Sequence, residues 1–190
     1  MYILLQLLTC ILLNYYASIN CKRTAERYLE HPYTPVYDLI HKYAPSINTH
    51  VPDYLIITTG FCTYIKYLYF SSSHFDANVA CVFYSLLLRF ITTQVTIIPT
   101  CMPRPQLTYN LYSKLFASTH DLIYSGHTIV FIFLGKMIDD NYNIYLKISS
   151  NIVQFIFPIT LILARQHYTI DVIISIIVYD YFYQYNLSFI

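Results

Sequence analysis

Six apolar runs dominate the chain and restrict what it can fold into. They lie at about 2–19, 52–70, 76–98, 122–138, 148–164 and 168–187. Each is close to the ~17–25 residues that a membrane-spanning helix needs, the fourth being the shortest. The chain of 190 residues is 56% hydrophobic and 11% charged. Soluble domains run at ~45–50% apolar and ~25% charged, so there is too little polar surface here to wrap such runs in water. The pattern predicts an all-α fold: a polytopic membrane protein with about six transmembrane helices in one bundle and one domain over residues 1–190.

The loops are marked by proline: Pro32, Pro35, Pro45 and Pro52 in the first, Pro99, Pro103 and Pro105 in the second. Ser71-Ser72-Ser73 and Asp139-Asp140-Asn141 make short turns on the opposite face. The first run reads as a retained helix or as a cleaved signal peptide; the lack of a basic stretch before it favours the helix. Tyrosine is abundant (22) and tryptophan absent, and tyrosine suits membrane–water interfaces. Cys10, Cys62 and Cys81 lie in apolar runs and read as small hydrophobes. Cys21 and Cys101 fall in loops on one face, as a disulfide or as two thiols.

A formal net charge of +1 and the absence of any Lys/Arg run argue against nucleic acid as a partner. Lys22, Arg23, Arg27, Lys42, Arg104, Lys114 and Arg165 gather on one face, and Lys66, Lys136 and Lys147 near the other. By the positive-inside rule that count puts the first face in the cytosol.

That same face carries the residues with chemistry. His167 and Asp171 are four apart, so on a helix they share a side one turn apart. A carboxylate there binds one imidazole nitrogen and leaves the other basic, which makes His167 a nucleophile and Asp171 its orienter. His127 supplies the second acid/base. The Ser125-Gly126 step lets backbone N–H groups at a helix start approach a phosphate. Arg89 and Arg165 are candidate phosphate ligands, since guanidinium offers paired donors and stays charged. Arg89 stands well inside an apolar run, where an ionisable group is costly and therefore a functional candidate. Singly, each has a plainer reading: His127 as an interfacial histidine, Asp171 as a helix-start acid, Gln94 as a hydrogen-bonding helix contact. No metal-ligand set stands out, and the chemistry requires neither metal nor cofactor.

Several segments together resemble the sphingomyelin synthase family, within the wider type 2 phosphatidic acid phosphatase superfamily. Thr119–Thr128, THDLIYSGHT, resembles the family's first histidine motif, with Asp121 and Tyr124 in register. Residues 164–173, ARQHYTIDVI, resemble the second and bring in Tyr168. Pro35-x-x-Asp38 within HPYTPVYDLIHKYAP resembles a motif that follows the first helix, and residues 86–99, LLLRFITTQVTIIP, resemble an arginine-bearing third helix. The likeness covers roughly residues 1–187 in family order.

The resemblance implies six spans with the site at the lumenal or exterior face of a Golgi, endomembrane or plasma membrane. His127, His167 and Asp171 match the catalytic triad, with Arg89, Asp121, Tyr124, Ser125, Gly126, Arg165 and Tyr168 on the substrate side. The implied reaction passes a phospho-headgroup, phosphocholine or similar, from a glycerophospholipid donor to a ceramide or diacylglycerol acceptor through a phosphohistidine. A homo-oligomer is compatible with it. Thr119-His120 departs from the family pattern, and Arg165 resembles the inositol-phosphoceramide synthase-like members. The alternatives are a lipid phosphate phosphatase and an inactive lipid-binding member of the same fold. The phosphatase branch expects a lysine at Ile97 and a basic residue at Leu161, and neither is present.

Overall fold

The computed structural model describes residues 36–69, 75–96, 98, 101, 125–139 and 143–187, together with 5, 6, 8, 9, 11–13, 15–17, 19, 20 and 23. Among these residues the regular structure is helical throughout, with no strand. The helices are α1 (Leu39–Tyr43), α2 (Val51–Tyr69), α3 (Phe75–Val95), α4 (Gly126–Ile138), α5 (Ile144–Leu163) and α6 (Thr169–Leu187). The described residues between 5 and 23 are helical as well, and Asn20 reaches Gln94 of α3 at 3.2 Å.

Local chemistry sets the helix ends. Asp38 caps α1 by accepting from the N–H groups of Ile40 and His41, and Asn143 caps α5 through those of Tyr145 and Leu146. Midway along α5, Ile152–Ile156 widens into a π-turn just before Pro158. Proline has no N–H to return to the preceding turn, and a wider turn absorbs that loss. α5 ends in a Schellman motif: Gln166 N–H donates to Leu161 O and Arg165 N–H to Ile162 O, each at 3.0 Å. The left-handed position of that motif is filled by Arg165, at φ 56°, rather than by glycine.

Helix α4 is the centre of the bundle, touching α2, α3, α5 and α6. Its residues Phe131, Leu134 and Ile138 pack with Val153, Leu161, Ile162 and Val172, and Ile129 and Ile132 pack with Cys81 and Tyr179. The α4 start lies beside the α2 start, through His127 and Asp53. Its end lies beside the α2 end, where Lys66 donates to the carbonyls of Met137, Ile138 and Asp139 at 3.1, 2.8 and 3.1 Å. A lysine there satisfies carbonyls that the helix leaves open and complements its dipole. Thus α2 and α4 run the same way, and α3, packed on α4 and α6, runs back to bring Arg89 beside the α4 start.

Polar side chains are buried among the apolar core of the bundle, and large apolar ones are left on its outside. Thr59, Thr63, Asn78, Ser85, Arg89, Thr93, Ser150, Gln154, Asp171 and Ser175 are buried, whereas Ile57, Phe61, Ile65, Ile170, Ile173 and Ile177 are exposed. Water penalises such an arrangement and a bilayer stabilises it, with buried polar groups holding helices together. Tyr179 of α6 donates to Asn78 of α3 at 3.1 Å, and within α5 Gln154 donates to Ser150 at 2.6 Å.

The sequence predicts six spans, and the described residues yield fewer that qualify by length and composition. Ala77–Val95 and Ile144–Leu163 are long and apolar enough to cross a membrane, and Gly126–Ile138 is apolar but short. At about 1.5 Å per residue α4 covers roughly 20 Å, less than the ~30 Å hydrocarbon core. Its start at Gly126 leaves 122–124 of the expected fourth run outside the described residues. Helices α2 and α6 are long enough, but Asp53 and Lys66 in one, Asp171 and Asp180 in the other, and the tyrosines of both reduce their apolarity.

Candidate active site

The site forms where the starts of α2, α4 and α6 meet the end of α5. Ser125 sets up the first part. Its side chain accepts from Thr128 N–H at 3.1 Å and so caps α4, while its own N–H donates to Ser175 Oγ at 2.6 Å. Ser175 in turn donates to Asp171 O at 2.6 Å, which pins the α4 start to α6. Both polar groups of Ser125 are therefore engaged in architecture. The N–H groups of Gly126 and His127 are the ones that the helix geometry leaves without an intrahelical acceptor.

Arg89 lies against this helix start. A Cβ placed on Gly126 would stand 3.0 Å from Arg89 Nη1 and 3.3 Å from its Cζ, so glycine is what lets the guanidinium come this close. Arg89 is buried. A permanent cation and a helix N-terminus thus face the same spot, an arrangement that favours an anion.

The second part is the turn from α5 into α6. His167 Nδ1 lies 3.5 Å from Asp171 Oδ2, with Asp171 fully buried and His167 nearly so. The same Oδ2 accepts Tyr168 N–H at 2.9 Å. Tyr168 is the residue before α6 and Asp171 sits three on, so the carboxylate caps its own helix while it faces the imidazole. The rings of His127 and His167 are 6.3 Å apart between centroids, inclined at 56°. The structure therefore brings His127, His167, Asp171, Arg89, Ser125 and Gly126 to one place.

Arg165 and Tyr168 are turned toward the first loop. Arg165 Nη2 donates to Ala44 O at 2.8 Å, while its buried Nη1 meets no acceptor among the described residues. The buried Tyr168 hydroxyl accepts from Val36 N–H at 2.9 Å. Asp121 and Tyr124 lie outside the described residues, as does Cys21; Cys101 is in the thiol form. Leu161 is a fully buried core residue that also anchors the Schellman motif, so the bundle has no room for a cation there.

Residues 36–50 form a strap over the His167 turn. Asp38 accepts from Thr169 N–H at 2.7 Å and from its hydroxyl at 3.0 Å. His41 Nε2 donates to His167 O at 3.2 Å, and Ile47 N–H to Leu163 O at 3.1 Å. Partial burial opposes ionisation of Asp38, but the donors of Thr169 and His41 outweigh it and hold the carboxyl below its usual value. Burial pushes the His41 imidazole below the ordinary histidine value; nearby Arg165 adds to this and Asp38 opposes it.

One group near the chemistry has no counterpart in the sequence reading. Asp53 of α2 places Oδ1 3.6 Å from His127 Nε2. Nothing in the neighbourhood of either residue in the sequence signals the pairing, because only the α2–α4 contact creates it. Among the described residues no cluster of His, Cys, Asp and Glu is arranged to hold a metal ion.

No curated protein matches the chain. Residues 119–187, the stretch that holds both histidines and Asp171, match the family model described as PAP2 superfamily C-terminal, whose members are phosphatases and phosphotransferases acting on lipid phosphates.

Proposed function

We propose that the protein is a membrane phosphotransferase that moves a substituted phosphate, phosphocholine or a similar headgroup, from a glycerophospholipid to ceramide or diacylglycerol. The observation that carries this reading is the His167–Asp171 pair facing His127, with Arg89 set against the α4 start at Gly126. Asp171 takes the Nδ1 proton side of His167 and leaves Nε2 with its lone pair. That nitrogen attacks phosphorus, the bond to the diacylglycerol oxygen breaks, and His127 protonates the leaving oxygen. In the second half the acceptor hydroxyl gives its proton to His127 as its oxygen bonds to phosphorus. The P–N bond then breaks and returns the electron pair to His167. Arg89 and the N–H groups of Gly126 and His127 hold the phosphate oxygens, which gain charge in both transition states.

At 3.5 Å the His167–Asp171 contact is long for a hydrogen bond; catalytic pairs commonly tighten when substrate binds. The site sits at one rim of the bundle, so a lipid headgroup reaches it while the acyl chains stay among the outer apolar residues. By this reading the rim faces the lumen of a Golgi or endomembrane compartment, or the exterior, against the Lys/Arg count, which charges that hold a phosphate distort.

A hydrolase differs only in the acceptor, since water can take the place of the lipid hydroxyl. The buried Leu161, in a place where the phosphatase branch expects a cation, favours transfer. The test is purified protein in vesicles with headgroup-labelled phosphatidylcholine, phosphatidylethanolamine or phosphatidylinositol and either ceramide or diacylglycerol. Transfer predicts a labelled product lipid that requires the acceptor. Free headgroup or phosphate with no labelled lipid would establish hydrolysis, and background activity equal to that of His167→Ala would leave only lipid binding.

A further inference from the structure

The reaction proposed above uses one carboxylate, Asp171, and gives no task to Asp53, which also stands at the site. Asp53 stands in the first turn of α2, where the helix dipole favours an acid. That preference explains an acid at this point in the chain, but not the direction of its side chain. Its Oδ1 lies 3.6 Å from His127 Nε2, across the contact between two helices that the sequence separates by a long interval. Both side chains are about one-fifth exposed, at 21% and 22%, so the pair is partly withdrawn from water. A bare carboxylate at the edge of a phosphate site repels the substrate; one that neutralises an imidazolium does not.

We infer that Asp53 is the positioning residue of His127: from an ion-pair distance of 3.6 Å its carboxylate closes to accept a hydrogen bond from Nε2–H when substrate binds, fixes the tautomer and stabilises the imidazolium formed during transfer. Nδ1 of His127 then holds the lone pair that receives the acceptor's proton, as the acceptor oxygen bonds to phosphorus and the P–N bond to His167 breaks. The inference rests on the transfer reading. It makes the two halves of the site alike, each a histidine held by a carboxylate from a helix start. Among the described residues, the other charged or titratable groups around His127 are His167 of the α5–α6 turn with Asp171 behind it, and Arg89 of α3 against Gly126. On the outer side His50 Nδ1 lies 4.0 Å from Asp53 Oδ2 and is 70% exposed, which extends the pair toward water.

The experiment uses the full chain in vesicles with the donor panel above and compares Asp53→Asn, Asp53→Ala and Asp53→Glu. Asparagine keeps the shape and an acceptor but loses the charge, alanine loses both, and glutamate keeps the charge on a longer arm. Asp53→Asn and Asp53→Ala should lower kcat by about 10- to 100-fold, the loss expected when general acid–base catalysis by His127 is weakened but not abolished. KM should stay within about twofold, and Asp53→Glu should recover part of the rate. In parallel, ring nitrogen chemical shifts of ¹⁵N-histidine protein should show Nε2 of His127 protonated throughout, with Nδ1 alone gaining and losing the proton that is transferred, and Asp53→Ala should redistribute the neutral ring between its two tautomers.

Wild-type kcat in Asp53→Asn overturns the inference, as does a change confined to KM or an unaltered His127 tautomer in Asp53→Ala. An Asp53→Asn chain that does not fold would also overturn it, since it would assign the carboxylate to architecture. The nitrogen shifts need no turnover. A wild-type protein that transfers no headgroup therefore removes the transfer reading alone, while the shifts still decide whether Asp53 holds His127.

Discussion

Asp171 faces His167 and caps the helix it belongs to with the same oxygen: Oδ2 lies 3.5 Å from His167 Nδ1 and accepts Tyr168 N–H at 2.9 Å. The two tasks separate by substitution. In Asp171→Asn the amide oxygen can still accept from Tyr168, so the α6 start survives while the charge beside the imidazole is gone. The expected loss is on the order of 10²–10⁴ in turnover at near-unchanged thermal stability. Asp171→Ala removes the cap as well and should cost about 1 kcal/mol of stability in addition. Equal melting temperatures for the two variants would show that the cap contributes nothing.

Two glycines of α4 should respond differently to alanine, because what stands over each differs. At Gly126 the new methyl meets the end of a flexible side chain, Arg89, which can swing away. The fold should persist, while affinity for a phosphate-bearing headgroup analogue drops by about tenfold, the loss of one charge-assisted contact. At Gly135 the methyl runs into Gln154 Cγ and stands 3.0 Å from the Ser150 backbone oxygen, neither of which can retreat without moving α5. Gly135→Ala should destabilise by about 1–3 kcal/mol, as overpacking does. Melting curves and analogue titrations on both variants check this; a destabilised Gly126→Ala with intact binding would contradict the placement of Arg89.

The strap should loosen in acid. The Asp38 carboxyl is held below its unfolded value, so its contribution is present above that value and lost as pH falls through the folded one. The His41 imidazole is also lowered in the fold: the detached strap takes up a proton before the bound strap does. Its penalty begins below the ordinary histidine value of 6.5 and grows as pH falls toward the folded value. Both signs agree, with His41 acting first. Hydrogen-exchange protection of the Thr169 and Ile47 amides should therefore fall between pH 8 and pH 5, and His41→Gln should remove most of that dependence. Protection that is flat with pH in the wild type would refute it.

What the sequence could announce was whatever is local. His167 and Asp171 one helical turn apart, a Ser-Gly step opening a helix, and an arginine sunk in an apolar run are all visible within short windows, and the fold brings them together. The Asp53–His127 pair and the strap's grip through Asp38 and His41 were hidden, although Asp38 stood inside a motif that the sequence singled out. Each depends on which helices are neighbours, and hydrophobic runs do not encode that. Arg165 shows a third case: its charge marked it for phosphate, whereas the structure turns Nη2 to a loop carbonyl.

That turn of Arg165 sets opposing terms against each other. At φ 56° a residue with a side chain sits where glycine is preferred, at a cost of about 1–2 kcal/mol. Its guanidinium recovers a charge-assisted hydrogen bond to Ala44 O, worth roughly 1.5–3 kcal/mol. Arg165→Gly removes both, so global stability should change by no more than about 1–2 kcal/mol. The strap should nevertheless lose its hold at residue 44, and the Ile47 amide, bonded to Leu163 O, should exchange about tenfold faster. Arg165→Lys keeps the strain and a single donor and should fall between the two. If Ile47 is as protected in Arg165→Gly as in the wild type, the guanidinium does not hold the strap, and its charge is available for the substrate phosphate instead.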